Sequence, residues 1–308
     1  MIPAAGRIFD LISLGEPLYE LAQEPDGRFA PGFGGDSSNM AIAAARLGAR
    51  VACVTRLGDD LFGAAFLELW ARERIDASAV ETIANAPTGV YFITYRDGDH
   101  AFTYLRKGSA ASTLKADHVP VTMIARAKVL HVSGVSLAVC AEAALFAIAS
   151  AAKAGTAISL DTNYRSRLWS AGEARVGITQ AARQATIVKT SIEDAQALHG
   201  LTQPFAIARL YRDLGAKAVV ITEGAGGASA WSAEDDLFKV PAHPVAAIDA
   251  SGAGDAFSGA LIAFLCAGRD FRTAVKFANV AAALSTRARG ATAGLPDRQT
   301  VIEESTRG

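Results

Sequence analysis

One sequence feature restricts the fold of this chain more than any other. Short apolar runs of strand length alternate with amphipathic stretches of helix length for most of its course. Ile8–Leu14 reads as a buried strand closed by Gly15. Ser37–Leu47 reads as a helix, followed by Gly48 and a strand at Val51–Thr55, and Leu61–Arg74 as a second helix. Further on come strand Val129–Val132, helix Ala141–Ala152, and strands Thr156–Leu160 and Ala185–Lys189. Helix Phe205–Leu214 leads into strand Ala218–Thr222. Such alternation implies right-handed crossovers, hence a doubly wound, mostly parallel α/β sheet with helices on both faces. Two stretches break the rhythm. Leu18–Pro31 has extended pieces around a Pro-Asp-Gly turn. Gly89–Arg106 has two aromatic-rich arms joined around Asp97-Gly98, a β-hairpin signal. With no crossover helix of their own, these parts (about 16–32 and 88–107) are expected to form a small β lid on a single domain spanning 1–308. Ligands in open α/β sheets bind beyond the carboxyl ends of the strands, where such a lid can cover them.

Composition narrows the partners. A 308-residue chain, 51% hydrophobic with formal net charge −1, can bury a large core and offers no basic footprint for nucleic acid or an anionic membrane. It holds no apolar run of about 18 residues, and its opening lacks the basic-then-apolar pattern of a signal peptide. Cys53, Cys140 and Cys266 are far apart, odd in number and set in apolar stretches, so they read as buried thiols of a cytoplasmic protein.

Most familiar chemistries are missing. No Gly-Lys pair occurs, which excludes a P-loop. No G-x-G-x-x-G follows the first strand, and GAGGAS at 224–229 is only a near miss. C-x-x-C, H-E-x-x-H and G-x-S-x-G are absent, and the five His residues are scattered. What remains is DASGAGDAF at 249–257. The run from Ala253 to Ala267 is apolar at helical spacing, so Ser251-Gly252-Ala253-Gly254 would form the mouth of a helix, with Asp255 in its first turn. A plain helix start explains the pattern locally. The sharper reading is an anion site. The N–H groups of Gly252, Ala253 and Gly254 would be unpaired, and small residues would let them converge on a phosphate. Asp255 beside them could take a proton from a hydroxyl attacking that phosphate.

At these residues the chain resembles a known family. DASGAGDAF is similar to the DTxGAGDxF signature of ribokinase-like (PfkB) carbohydrate kinases, and GFGGDSSNMAIAAARLGA at 32–49 resembles that family's N-terminal signature. The resemblance runs from Leu11 to about Pro296 and implies a doubly wound α/β domain with a β lid. A narrower likeness to 2-keto-3-deoxygluconate kinases lies in LGEP (14–17), FGGD (33–36), TGVYF (88–92), YLRKGSAA (104–111) and DTNYR (161–165). It implies that Gly34, Gly35, Asp36 and Asn39 contact substrate hydroxyls and that Tyr91 and Tyr104 reach in from the lid. It further implies that Arg106 and Arg165 face a carboxylate or phosphates, for which Arg offers planar bidentate donors.

For the nucleotide, the resemblance implies Asn163, Thr222, Gly224 and Gly227, with Asn279 lining the adenine pocket. The family's Asn-x-x-Glu motif, which helps organise Mg²⁺ through water, is altered here to Ser191-Ile192-Glu193-Asp194. That leaves Glu193 or Asp194 as indirect metal residues. Asp249 would shape a monovalent-cation site or cap its loop, and we favour the loop. We therefore expect an ATP-dependent kinase that phosphorylates the terminal C6 hydroxyl of a 2-keto-3-deoxy sugar acid, 2-keto-3-deoxygluconate first, with Asp255 as base and Mg²⁺ travelling with ATP. A kinase of a neutral sugar or nucleoside such as fructose or ribose is the alternative. A non-catalytic sugar-acid-binding protein on the same fold is a third reading. Half-apolar lid strands left unpaired predict a homodimer through the lid.

Overall fold

The structure, a computed structural model, describes residue 2 and residues 6–96 and 99–307, with the side chains of 95, 96, 99 and 100 left aside. The expected turn residues Asp97-Gly98 lie outside the described residues. The strands are β1 (Phe9–Leu14), β2 (Leu18–Gln23), β3 (Phe29–Gly34), β4 (Val51–Gly58), β5 (Asp76–Ile83), β6 (Gly89–Arg96), β7 (Asp99–Leu105), β8 (Ala127–Ser133), β9 (Ala157–Asp161), β10 (Ile187–Ser191), β11 (Ala218–Thr222), β12 (Ala228–Ser232) and β13 (Phe238–Val240). The main sheet runs β13-β12-β11-β10-β9-β8-β1-β4-β5. It is parallel from β11 to β5, and β12 and β13 add antiparallel at one edge. The continuous apolar runs follow from this position: β1, β9 and β11 are buried on both faces. One cluster of buried side chains packs on each face of the sheet.

Parallel pairing brings the carboxyl ends of β1, β8, β9, β10 and β11 to one edge. Sequence stretches that carry chemistry follow directly: Gly15-Glu16 after β1, Thr162-Asn163 after β9, Glu193-Asp194 after β10 and Glu223-Gly224 after β11. A second sheet of four strands, β3-β2-β6-β7, is built from the two stretches that interrupt the rhythm. In it β2 pairs antiparallel with β3 and parallel with β6, and β6 and β7 form the hairpin.

Helix Ala253–Cys266 is almost wholly buried, from Ala256 to Phe264. It packs against helix Asp36–Arg46 at a glycine. A Cβ added to Gly259 would lie 2.6 Å from the Met40 carbonyl oxygen and 2.7 Å from the Ala43 Cβ. Only a residue without a side chain allows that approach. The contact has a partner one turn earlier on both helices, where Asn39 meets Asp255.

Several details differ from expectation. The second helix ends at Arg72 rather than Arg74, because Arg74 takes a left-handed conformation (φ 57°) that turns the chain toward β5. Strands β5, β12 and β13 were not foreseen. β5 and β13 are short of fully buried residues, as edge strands are, so their periodicity is weak. Cys53 and Cys140 are buried, but Cys266 is half-buried, its Sγ 3.4 Å from the Asp10 carbonyl. Burial pushes all three thiols up to about 12. Among the described residues no helix is long and apolar enough to cross a membrane.

Candidate active site

The first turn of helix Ala253–Cys266 stands at the carboxyl edge of the sheet. Gly252 caps it in the left-handed region (φ 73°), and a Cβ there would strike Ala291 at 2.8 Å. One expectation is corrected by this turn. The Ala253 N–H is not free: it donates to the Ala250 carbonyl at 3.2 Å, because the left-handed Gly252 closes a tight turn over 250–253. Among the described residues the N–H groups of Gly252, Gly254 and Asp255 find no backbone acceptor, and these converge at the helix mouth.

Asp255 is half-buried and accepts a hydrogen bond from Asn39 Nδ2 at 2.9 Å. Desolvation and the neighbouring Asp36 carboxylate push its pKa up to about 7, against the pull of the Asn39 amide and the Lys189 ammonium. A carboxylate poised there can accept a proton near neutral pH. Asp36 begins its helix behind Gly35, whose φ is 86° and on which a Cβ would lie 2.3 Å from the Glu16 carbonyl oxygen. Asn163 donates to Asp36 Oδ2 at 2.8 Å from a left-handed backbone (φ 31°). Asp36 Oδ1 and Asn39 Oδ1 are buried without a protein partner. Such orphaned acceptors beside a carboxylate suit the hydroxyls of a polyol.

The small sheet supplies the facing wall. Tyr91 is buried on β6, and its ring stacks on Tyr104 of β7 at 5.7 Å. A Cβ on Gly34 would meet the Tyr91 hydroxyl at 2.6 Å, so Gly34 makes room for it. Two acidic residues absent from the sequence-based expectation share this wall. Glu20 on β2 accepts from the Tyr91 hydroxyl, and Glu16 is fully enclosed, bonded by Ser109 and ion-paired with Arg106. Burial raises both carboxyl pKa values, and Arg106 draws that of Glu16 back. Arg106 also lies over the Tyr104 ring, 5.9 Å from its centroid. Glu20 gave a thin sequence signal, since a single Glu in a strand reads as a surface residue, and Glu16, inside the LGEP stretch between β1 and β2, carried no sign of its partner Arg106.

Other candidates are placed apart. Arg165 is exposed and donates to the neighbouring Tyr164 carbonyl at 2.9 Å. Glu193 is exposed, whereas Asp194 Oδ2 accepts from Thr162 Oγ1 at 2.7 Å and from the Tyr164 N–H at 3.1 Å. Asp194 thus clamps the turn that carries Asn163. Asp249 accepts the N–H groups of Ser251 and Gly290, each at 2.9 Å, which ties the 249–251 loop to the 290 loop.

Gly224, Gly227 and Asn279 define a second region. Gly224 and Gly227 have φ of 54° and 91° in the β11–β12 turn, and a Cβ on Gly227 would lie 2.1 Å from the Val240 carbonyl oxygen. Asn279 Nδ2 donates to the Pro241 carbonyl at 2.7 Å. Both therefore border the 240–242 segment, where a cavity of about 480 Å³ is lined by Val240, Pro241, His243, Lys276, Asn279 and Val280 among others. Thr222, at the end of β11, leans on the Thr190 carbonyl at 3.4 Å. A somewhat larger cavity, about 550 Å³, opens at the opposite, amino edge of the sheet, away from all these groups.

Known proteins resemble this chain along most of its length. The sequence profile of the pfkB family carbohydrate kinases matches residues 2–298. The chain is 34% identical to the 2-dehydro-3-deoxygluconokinase of Thermoproteus tenax, over 95% of this chain and 93% of that one. It is 35% identical to fructokinase-1 of Zea mays, over 97% and 98%. A ribokinase II of E. coli, solved in complex with ATP and Mg²⁺, superposes with a TM-score of 0.88 at 27% identity, over 97% of this chain and 99% of that one. A profile matched along nearly the whole length, with relatives above 30% identity over almost all of it, leaves one conclusion: this chain belongs to the pfkB family of carbohydrate kinases.

Proposed function

We propose that the protein transfers the γ-phosphoryl group of ATP to the terminal C6 hydroxyl of a 2-keto-3-deoxy sugar acid, 2-keto-3-deoxygluconate first. The observation that carries the reading is the Asn39–Asp255 contact at a helix mouth where, among the described residues, the N–H groups of Gly252, Gly254 and Asp255 have no backbone acceptor. Asp255 accepts the proton of the attacking hydroxyl while Asn39 fixes its orientation. The helix-mouth amides receive the charge that builds on the transferred group. Asp36, Asn39 and Tyr91, with Gly34 and Gly35 leaving space, hold the sugar, and the small sheet excludes water. Asn279 lines the cavity assigned to the adenine side of ATP and Gly227 packs against the 240–242 segment that borders it, while Gly224, Thr222 and Asn163 stand at the carboxyl ends of β11 and β9 on the side assigned to the nucleotide.

The donor set suits a Mg²⁺ that keeps most of its waters. Glu193 is a free, exposed carboxylate, Asp194 has one oxygen committed, and no group of three ligating side chains exists among the described residues. When bound with ATP, the ion would neutralise phosphate charge. We assign Asp249 to holding its loop. The exposed Phe29 and Leu105 of the small sheet support a homodimer through that sheet, which sedimentation at micromolar concentration tests.

For the substrate class, the acid reading rests on Arg106 and Arg165, two cations able to bind a carboxylate. One observation favours a neutral sugar instead: Arg106 is already neutralised by the enclosed Glu16. The fructokinase likeness is as strong as that to the sugar-acid kinase. A coupled ADP-release assay with MgATP against 2-keto-3-deoxygluconate, 2-keto-3-deoxygalactonate, gluconate, fructose, ribose and adenosine decides. Turnover confined to the keto-deoxy acids upholds the proposal, and turnover on fructose alone transfers it to the neutral sugar. Binding of sugar acid with no ADP release would mean a non-catalytic binder.

A further inference from the structure

Behind the helix mouth lies a buried charge pair that sequence reading did not single out. Lys189 on β10 donates to Asp161 Oδ2 on β9 at 2.8 Å, and Ser258 of helix Ala253–Cys266 donates to the same oxygen at 3.2 Å. Both charged residues are almost fully buried. The ammonium rests against the mouth itself: a Cβ added to Gly254 would lie 2.9 Å from Nζ. Asp161 is the only protein acceptor of that ammonium among the described residues, so its remaining protons are open toward the site.

A buried ion pair rarely contributes more stability than an apolar replacement would, so its position calls for another role. We propose that Lys189 is a positioning residue of the phosphoryl-transfer site, held by Asp161 and Ser258 against Gly254 so that its charge keeps Asp255 ionised. This rests on the reading of Asp255 as the base.

Among the described residues, these groups act most strongly on Asp255: Asp36 and Asn39 from helix Asp36–Arg46, Lys189 from β10, Asp161 from β9 and Tyr91 from β6. Lys189 is the one cation among them. It favours the carboxylate form of Asp255, while Asp36 and Asp161 oppose it. His131 on β8 faces Asp161, Asp36 and Lys189, but burial lowers its pKa and keeps it neutral. Removing the cation and removing its acidic partner therefore have opposite consequences for the base.

The test is the pH dependence of kcat, read by ADP release with MgATP and 2-keto-3-deoxygluconate, or fructose if that is the sugar turned over. Lys189→Met is expected to move the acid limb to higher pH by about one unit, a roughly tenfold loss on its acid side. Asp161→Asn keeps the ammonium and is expected to move the limb to lower pH. Lys189→Arg, which keeps the charge, is expected to stay close to the parent. A limb that fails to move in the expected direction in either of the first two variants overturns the proposal. Should Lys189→Met fail to fold, Lys189→Gln takes its place, with the same upward shift of the limb expected and an unmoved limb overturning the proposal. Asp255→Asn separates the two readings. If it retains turnover, the base assignment itself fails. If it is inactive while the limbs stay put, the base stands and the role of Lys189 falls.

Discussion

Asp255→Asn is expected to make the protein more stable while abolishing turnover. The carboxyl has been moved from the ordinary aspartate value of 3.8 to about 7, first by loss of water and then by Asp36. A folded-state pKa raised above the unfolded one means that the folded chain resists ionisation. The group costs no stability below the unfolded pKa, and the cost grows as pH rises from 3.8 through about 7. About three pH units at 1.36 kcal/mol each amount to about 4 kcal/mol at pH 8. Asparagine has the same shape, and its side-chain oxygen can still accept from Asn39 Nδ2, so the substitution removes the charge without opening a cavity. Urea unfolding of both proteins near pH 8 and near pH 5 measures the difference. The variant should be more stable near pH 8, by up to this amount, and near pH 5 by only about 1.5 kcal/mol, the part of the cost accumulated between pH 3.8 and 5. Turnover should fall by a factor of at least about 100. A variant less stable than the parent near pH 8 would refute the electrostatic reasoning, because the charge would then be supporting the fold.

Three further outcomes follow from other parts of the molecule. Asn39→Ala removes the one hydrogen bond that lowers the Asp255 pKa, so the acid limb of kcat should shift to higher pH, while a limb that does not move denies the contact a role in the reaction. Gly259→Leu forces a side chain against the Met40 carbonyl and should cost about 1–3 kcal/mol in thermal unfolding, with activity falling as Asn39 is pushed from Asp255; an unchanged Tm would contradict the helix approach. Arg106→Ala strands the enclosed Glu16 and should destabilise the protein by about 3–5 kcal/mol, with much of the loss recovered in the Arg106→Ala/Glu16→Gln double variant, as denaturant unfolding would show; a single variant as stable as the parent would remove Glu16 as its partner. If Arg106 also binds a substrate carboxylate, the double variant should keep a raised KM for sugar acids and an ordinary one for fructose.

The architecture was largely legible because it is written in local signals. The buried strands of a parallel sheet are continuous apolar runs, and Gly15, Gly48 and Gly155 mark where elements end. The two stretches without crossover helices announced a separate sheet for the same reason. The edge strands β5 and β13 escaped notice because a half-exposed strand carries little periodicity, and β12, buried between β11 and β13, because its five residues Ala-Ser-Ala-Trp-Ser form no apolar run. At the helix mouth the sequence named Gly252, Ala253 and Gly254 as a set, but a left-handed turn committed the middle amide to Ala250. That geometry depends on backbone torsions that no residue type declares.

The chain by itself determined that glycines surround Asp255 at a helix start and that Asn39 sits in the first turn of another helix. Both are consequences of local propensity and spacing. Only the tertiary structure decided that these two helices meet at Gly259 and Ala43, so that Asn39 reaches Asp255 one turn away. It alone paired Lys189 with Asp161, Arg106 with Glu16 and Tyr91 with Glu20. Those partners are 28, 90 and 71 residues apart in sequence. Charge interactions act through space and depend on burial, and neither distance nor burial between remote residues is encoded in any short stretch of sequence.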